Sequence, residues 1–202
     1  MATVVLIRPG CTDFDEQQRI QGSLDLPLNS RGRAQVANLV EQLREVELDA
    51  IYTSSGQPAQ STAEALANEL DLDLRETEGL CNINQGLWQG LKIEDIRRKY
   101  PRIIKQWEDS PQTVCPPEGE TLSEAIERVR KTLQKPLKKK LSFAVVAAEP
   151  LATVVRYVVT GHLPDRASPI CGGQTTSTVP IEFLESDSGL VTTTPPSGGG
   201  NK

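Results

Sequence analysis

Few side chains in this chain can do acid–base or metal chemistry. Histidine, the usual proton carrier and metal ligand, occurs once in 202 residues, at His162. It sits in TGHLP, just past a predicted helix, and reads as a helix-terminal or surface residue that interacts favourably with the helix dipole. Four cysteines, Cys11, Cys81, Cys115 and Cys171, lie far apart with no C-x-x-C pair. They read as scattered reduced thiols, and their spacing marks neither a disulfide framework nor a zinc site. The pattern points to no metal and no cofactor. The lysine-rich run KPLKKKL at residues 135–141 reads as solvated charge closing a helix, where cations are favourable.

The elements that must position any site alternate between two periodicities. TVVLI at residues 3–7 and SFAVVA at 142–147 are the apolar runs of buried central strands, and shorter strands are predicted at residues 50–52, 72–75 and 178–184. Val36, Leu39, Val40 and Leu43 recur at helical spacing within residues 31–45, with Asn29 or Ser30 as cap. Pro58 opens a second helix along Ala63, Leu66, Ala67 and Leu70. Residues 79–90 read as irregular, followed by helical pieces holding Ile93, Ile96, Tyr100, Ile104 and Trp107. Three prolines and a glycine in residues 110–120 predict an ordered loop or lid. Thr121 and Glu124 form a capping box that starts a helix to about Gln134, and Pro150 starts another to about Thr160. Such alternation predicts one α/β domain over residues 1–185, with helices on both faces of the sheet. Residues 186–202, rich in Gly, Pro, Ser and Thr, read as a disordered tail.

Composition narrows the partners. With 37% hydrophobic and 24% charged residues, and a net charge of -5, the chain suits a soluble globular domain. A pI near 5.1 gives no electrostatic reason for nucleic acid or an anionic membrane. No apolar run approaches the ~20 residues of a membrane span. The start, MATVVLI, reads as a first strand rather than a signal peptide, so the default location is the cytoplasm. Oligomeric state is not legible.

Five segments, in order, carry a resemblance. VVLIRPGCTDFDEQQRIQGSLDLPLNSRGRAQVANLVEQL supplies Arg8, Gly10, Thr12, Gln21, Gly22, Asp25, Pro27, Leu28 and Gly32. YTSSGQPAQSTAEALA follows, then GLCNINQGLWQGL with Gly86, Trp88 and Gly90, then PEGETLSEAIERV with Gly119, Glu120 and Thr121, and finally the strand before Glu149. Together, over roughly residues 3–160, they resemble the histidine phosphatase (phosphoglycerate mutase-like) superfamily. The resemblance implies a three-layer αβα sandwich with a mostly parallel central sheet.

It also implies a mechanism and shows gaps in it. A neutral imidazole attacks phosphorus, cationic groups hold the phosphoryl oxygens, and a carboxylic acid protonates the leaving group. Matched to those positions, Arg8 is retained. The nucleophile falls on Pro9, the second histidine on Ala148, the second arginine on Pro58 and the acid on Asn82. Asp15 stands where an Asn is often found, and would repel phosphate or pair with Arg8. The resemblance with these departures implies a catalytically inactive member acting as a binding or interaction module, with an unidentified small molecule or protein as partner. The alternative is a weak or rewired phosphatase or phosphomutase acting on a phosphate ester. The expected pocket remnant comprises Arg8, Gly10, Cys11, Thr12, Asp15, Gly22, Asn82 and Glu149, with Ser55, Gln57, Gln60 and Gln85 as further hydrogen-bonding groups. Family geometry would also bring Cys11 and Cys81 near Arg8, either as lowered-pKa thiolates or, preferred, as small space-filling residues.

Overall fold

Strand and helix alternate because apolar runs buried on both faces leave room only for crossover connections, and those are helical here. A computed structural model describes residues 2–109, 114–162 and 180–186. In chain order its elements are β1 (Thr3–Ile7), α1 (Asp13–Glu16), α2 (Ser30–Leu43), β2 (Ala50–Thr53), α3 (Ala59–Leu70), β3 (Asp73–Glu76), α4 (Ile93–Lys99), α5 (Pro101–Asp109), α6 (Leu122–Lys138), β4 (Phe143–Val146), α7 (Leu151–Thr160) and β5 (Ile181–Glu185). Short 3-10 turns at Glu78–Leu80 and Gly86–Trp88 occupy the stretch expected to be irregular. The proposed tail lies outside the described residues, apart from Ser186, as do the first two residues of the predicted last strand.

The sheet order is β3-β2-β4-β1-β5. The first four strands run parallel, and β5 closes the edge antiparallel to β1. Alternate residues of each strand feed opposite layers, as a period of two requires. Val4, Leu6, Tyr52, Phe143 and Val145 pack with Val129 and Leu133 of α6 and Leu151 and Val155 of α7. Val5, Ile7, Ile51, Ala144 and Val146 pack with Leu39 and Leu43 of α2 and Ala63 and Leu66 of α3. The result is the three-layer sandwich that the resemblance implied. A small satellite of Ile20, Trp88, Ile96, Ile104 and Val114 seats α4 and α5.

Local signals place the element starts. Asn29 caps α2 by accepting from Gly32 N at 2.8 Å. Thr121 and Glu124 form the expected reciprocal box at α6. That helix runs past the expected end at Gln134 and takes Pro136 into its last turn. A proline there forfeits one bond of the ladder, and Lys139 N resumes it by donating to Lys135 O at 3.1 Å. Among the described residues, no helix is long and apolar enough to cross a membrane.

Candidate active site

Chain direction creates a crevice at the carboxyl ends of the strands. After β1 and β2 the chain turns to the α2/α3 layer, whereas after β4 it turns to the α6/α7 layer. Loops leaving neighbouring strands in opposite directions part above the sheet, the place where open parallel sheets bind ligands. A cleft of ≈ 220 Å³ lies there. Its walls are Gln21–Asp25 from the β1 connection, Ser54–Ala59 after β2, Leu80–Asn82, and Ala148 after β4. Among the described residues, Asp25 is the only carboxylate in that lining, and no Lys, Arg or His contributes to it.

Beside Ala148 stands a charged pair. Arg8, directly after β1, forms an ion pair with Glu149, whose side chain is 0% exposed against 17% for the arginine. The second carboxylate oxygen of Glu149 accepts from Thr153 Oγ1 at 2.9 Å and Thr153 N at 3.3 Å, in the first turn of α7. A helix N-terminus and a guanidinium are both natural anion partners, so the carboxylate is held from two sides. A second pair lies nearby. Arg156 of α7 forks onto Glu182 of β5 at 2.7 and 2.6 Å. Hydrogen bonding to Arg156 holds the Glu182 carboxyl below its ordinary value, with a smaller contribution from Arg8.

The structure redistributes the expected pocket residues. Gly22 and Asn82 line the cleft together with Pro58 and Ala148. Asn82 is a bracket rather than a free donor. Its Nδ2 donates to the carbonyls of Gly22 and Glu149, both at 3.0 Å, while its Oδ1 accepts from Ile83 N and Leu151 N. Asp15 does not pair with Arg8, contrary to expectation. It closes a capping box with Thr12, whose N–H and hydroxyl donate to it at 2.7 and 2.8 Å. Burial pushes the Asp15 carboxyl up, against the lowering effect of those bonds. Gly10, Cys11 and Thr12 are also outside the cleft lining. Gly10 N donates to Thr62 Oγ1, and a Cβ on Gly10 would meet Gly32 O at 2.6 Å, so this glycine permits close backbone crossing onto α2. Ser55 and Gln57 do line the cleft, whereas Gln60 bonds Glu76 at the surface. Gln85 is fully buried away from the lining, and its side-chain amide has no partner among the described residues.

The thiols follow the space-filling reading. Cys11 is buried and bonded through its N–H to Gln35, and burial pushes its pKa up. Cys81 does reach the cleft, but burial raises its pKa as well. Neither is an activated thiolate. His162 is exposed at the far end of α7, about 15 Å along a ten-residue helix from Glu149. The Arg8–Glu149 pair had a readable half: a charge directly after the apolar strand FAVVAA, at a helix start, has to find a partner.

Comparisons with known proteins bear on the family and the fold. The model of the histidine phosphatase superfamily (branch 1) matches residues 4–192. The chain is 30% identical over 146 residues to phosphoserine phosphatase 1 of Hydrogenobacter thermophilus, spanning 72% of this chain and 69% of that protein. It is 33% identical over 133 residues to a 2,3-bisphosphoglycerate-dependent phosphoglycerate mutase of Bartonella henselae, spanning 63% of this chain and 64% of that one. The solved mycobacterial glucosyl-3-phosphoglycerate phosphatase superposes with a TM-score of 0.72 at 24% identity, over 80% of each chain, a likeness of fold alone. These relatives correct one expectation. They are named phosphatases and a mutase, which points to enzyme activity, and the reading of this chain as non-catalytic is overturned.

Proposed function

From a chain that belongs to the histidine phosphatase superfamily, branch 1, we propose a phosphatase that hydrolyses a phosphate ester slowly, with water rather than histidine attacking phosphorus. The observation that carries this reading is the cleft at the crevice above β1, β2 and β4, with Arg8, itself outside the lining, paired to Glu149 next to the wall residue Ala148. The resemblance puts the family's two histidines on Pro9 and Ala148, and neither side chain has a lone pair to offer. In the balanced step, a water oxygen bonds to phosphorus while the ester P–O bond breaks. The leaving oxygen takes a proton and the attacking water loses one. Asp25, the carboxylate of the cleft lining, is the group placed to exchange that proton. Arg8 supplies positive charge toward the phosphoryl oxygens.

A mutase would need to park the phosphoryl group on a protein nucleophile. Cys81 is the strongest nucleophile in the lining, and burial keeps its thiol protonated. Hydrolysis is therefore the better fit. Without an imidazole, turnover falls about 10²- to 10⁶-fold below that of a histidine-dependent enzyme. The free thiols Cys11, Cys81 and Cys115 suit the cytoplasm.

The test is phosphate release from a panel of esters by the purified protein in ¹⁸O-water, alongside Arg8→Ala and Asp25→Asn. Expected are slow turnover, one solvent oxygen per phosphate, no phosphohistidine, and loss in both variants. Release no faster than buffer, or equal in the Arg8→Ala variant, would refute the reading.

A further inference from the structure

We propose that Glu149 is a resident anion that sets the charge of the ligand, so that the site favours phosphoryl groups carrying a single negative charge. The proposal rests on the phosphate-ester reading above and narrows its substrate class.

The case begins with the contacts of one carboxylate. One oxygen of Glu149 pairs with Arg8, and the other takes the hydroxyl and amide hydrogens of Thr153 at the start of α7. A guanidinium plus the N–H end of a ten-residue helix is the coordination that a phosphate oxygen would receive. Here a side chain of the protein already fills it, with 0% exposure. The position also follows from sequence order, because Glu149 comes directly after Ala148 of the cleft wall and its carbonyl accepts from Asn82, another wall residue.

Among the described residues, the two pairs around the site leave no surplus cation. Arg8 directly after β1, Glu149 before α7, Arg156 on α7 and Glu182 on β5 alternate in sign and sum to zero. Electrostatic influence crosses between the pairs, from Glu149 to Arg156 and from Arg8 to Glu182. Among the described residues, the only formal charge in the cleft lining is the negative Asp25. A phosphate dianion entering this field meets an arginine whose charge is partly offset by Glu149 and, in the cleft lining, the carboxylate of Asp25. A monoanion, such as a phosphodiester or a monoester below its second ionisation near about pH 6, pays about half that penalty.

Inorganic phosphate is the probe at pH 8, where it is a dianion, read by calorimetry and by melting temperature. The parent is expected to show no melting shift, and Glu149→Gln, which keeps the shape and removes the charge, to bind phosphate at least about tenfold more tightly. The double variant Arg8→Ala with Glu149→Gln should lose that gain. In turnover at pH 8, Glu149→Gln should lower the KM for a monoester dianion by a similar factor and the KM for a diester by less, so that the preference for the monoanion narrows. Phosphate binding by the parent as tight as by Glu149→Gln, or a clear phosphate-dependent rise in the parent's melting temperature, would overturn the proposal. The parent measurement decides even if the variant does not fold. Absence of turnover on every ester would end the phosphatase reading, while a gain of phosphate binding in Glu149→Gln would still support the resident anion.

Discussion

Replacing Arg8 by methionine isolates the energetics of the buried pair. The substitution keeps an unbranched stem of similar length in the partly buried slot and removes only the guanidinium. Glu149 would then be a wholly buried carboxylate without a counter-charge, a situation that typically costs about 3–5 kcal/mol. An exposed pair would cost only about 0–1 kcal/mol. Thr153 still donates its hydroxyl and amide hydrogens, so the lower end, about 3 kcal/mol, is expected. At about 2–4 °C per kcal/mol for a chain of this size, the melting temperature should fall by roughly 6–12 °C. Two-state urea unfolding of the parent, Arg8→Met, Glu149→Gln and the double variant completes a cycle. Because the double variant has neither buried charge, it should be more stable than Arg8→Met alone, with a coupling of about 2 kcal/mol or more. A loss below about 0.5 kcal/mol for Arg8→Met, or additivity within that margin, would refute the reasoning, since distant independent sites behave that way.

Two further outcomes test other parts of the structure. Thr121→Ala removes the cap of α6, the helix that presents Val129 and Leu133 to the core, and should cost about 1 kcal/mol, measured by chemical denaturation with an unchanged m-value. Arg156→Gln should flatten the acid limb of the stability curve. Glu182 is held below its ordinary carboxyl value by Arg156, so it contributes stability above the unfolded-state value, about pH 4.3, that is lost as pH falls through the depressed folded-state one. Melting temperatures from pH 7 down to pH 3 should therefore fall less steeply in the variant than in the parent. Parallel curves would show that the pair does not couple to folding.

The sequence by itself determined whatever local rules govern. The β-branched runs TVVLI and SFAVVA became β1 and β4, and Asn29 and Thr121 capped the helices that follow them. The αβα order followed from that alternation, and the five motif segments placed the chain in its family. Even the role of Asp15 was within reach, because Thr-x-x-Asp ahead of a short helix is the spacing of a capping box. Catalytic standing was not legible in this way, since substitutions at Pro9 and Ala148 show which groups are absent and not which groups replace them. Only the tertiary structure decided the partner of Arg8. Asp15, seven positions along the chain, was the nearer candidate, yet Glu149 is the residue that pairs. The reason is the parallel sheet. It hydrogen-bonds β1 directly to β4, with Ile7 opposite Val146, and so sets the residues that leave those two strand ends side by side. Meanwhile the side chain of Asp15 is consumed by its own helix cap. No rule of spacing encodes a contact between residues 141 positions apart in the chain, because strand pairing, rather than chain distance, fixes which charges become neighbours.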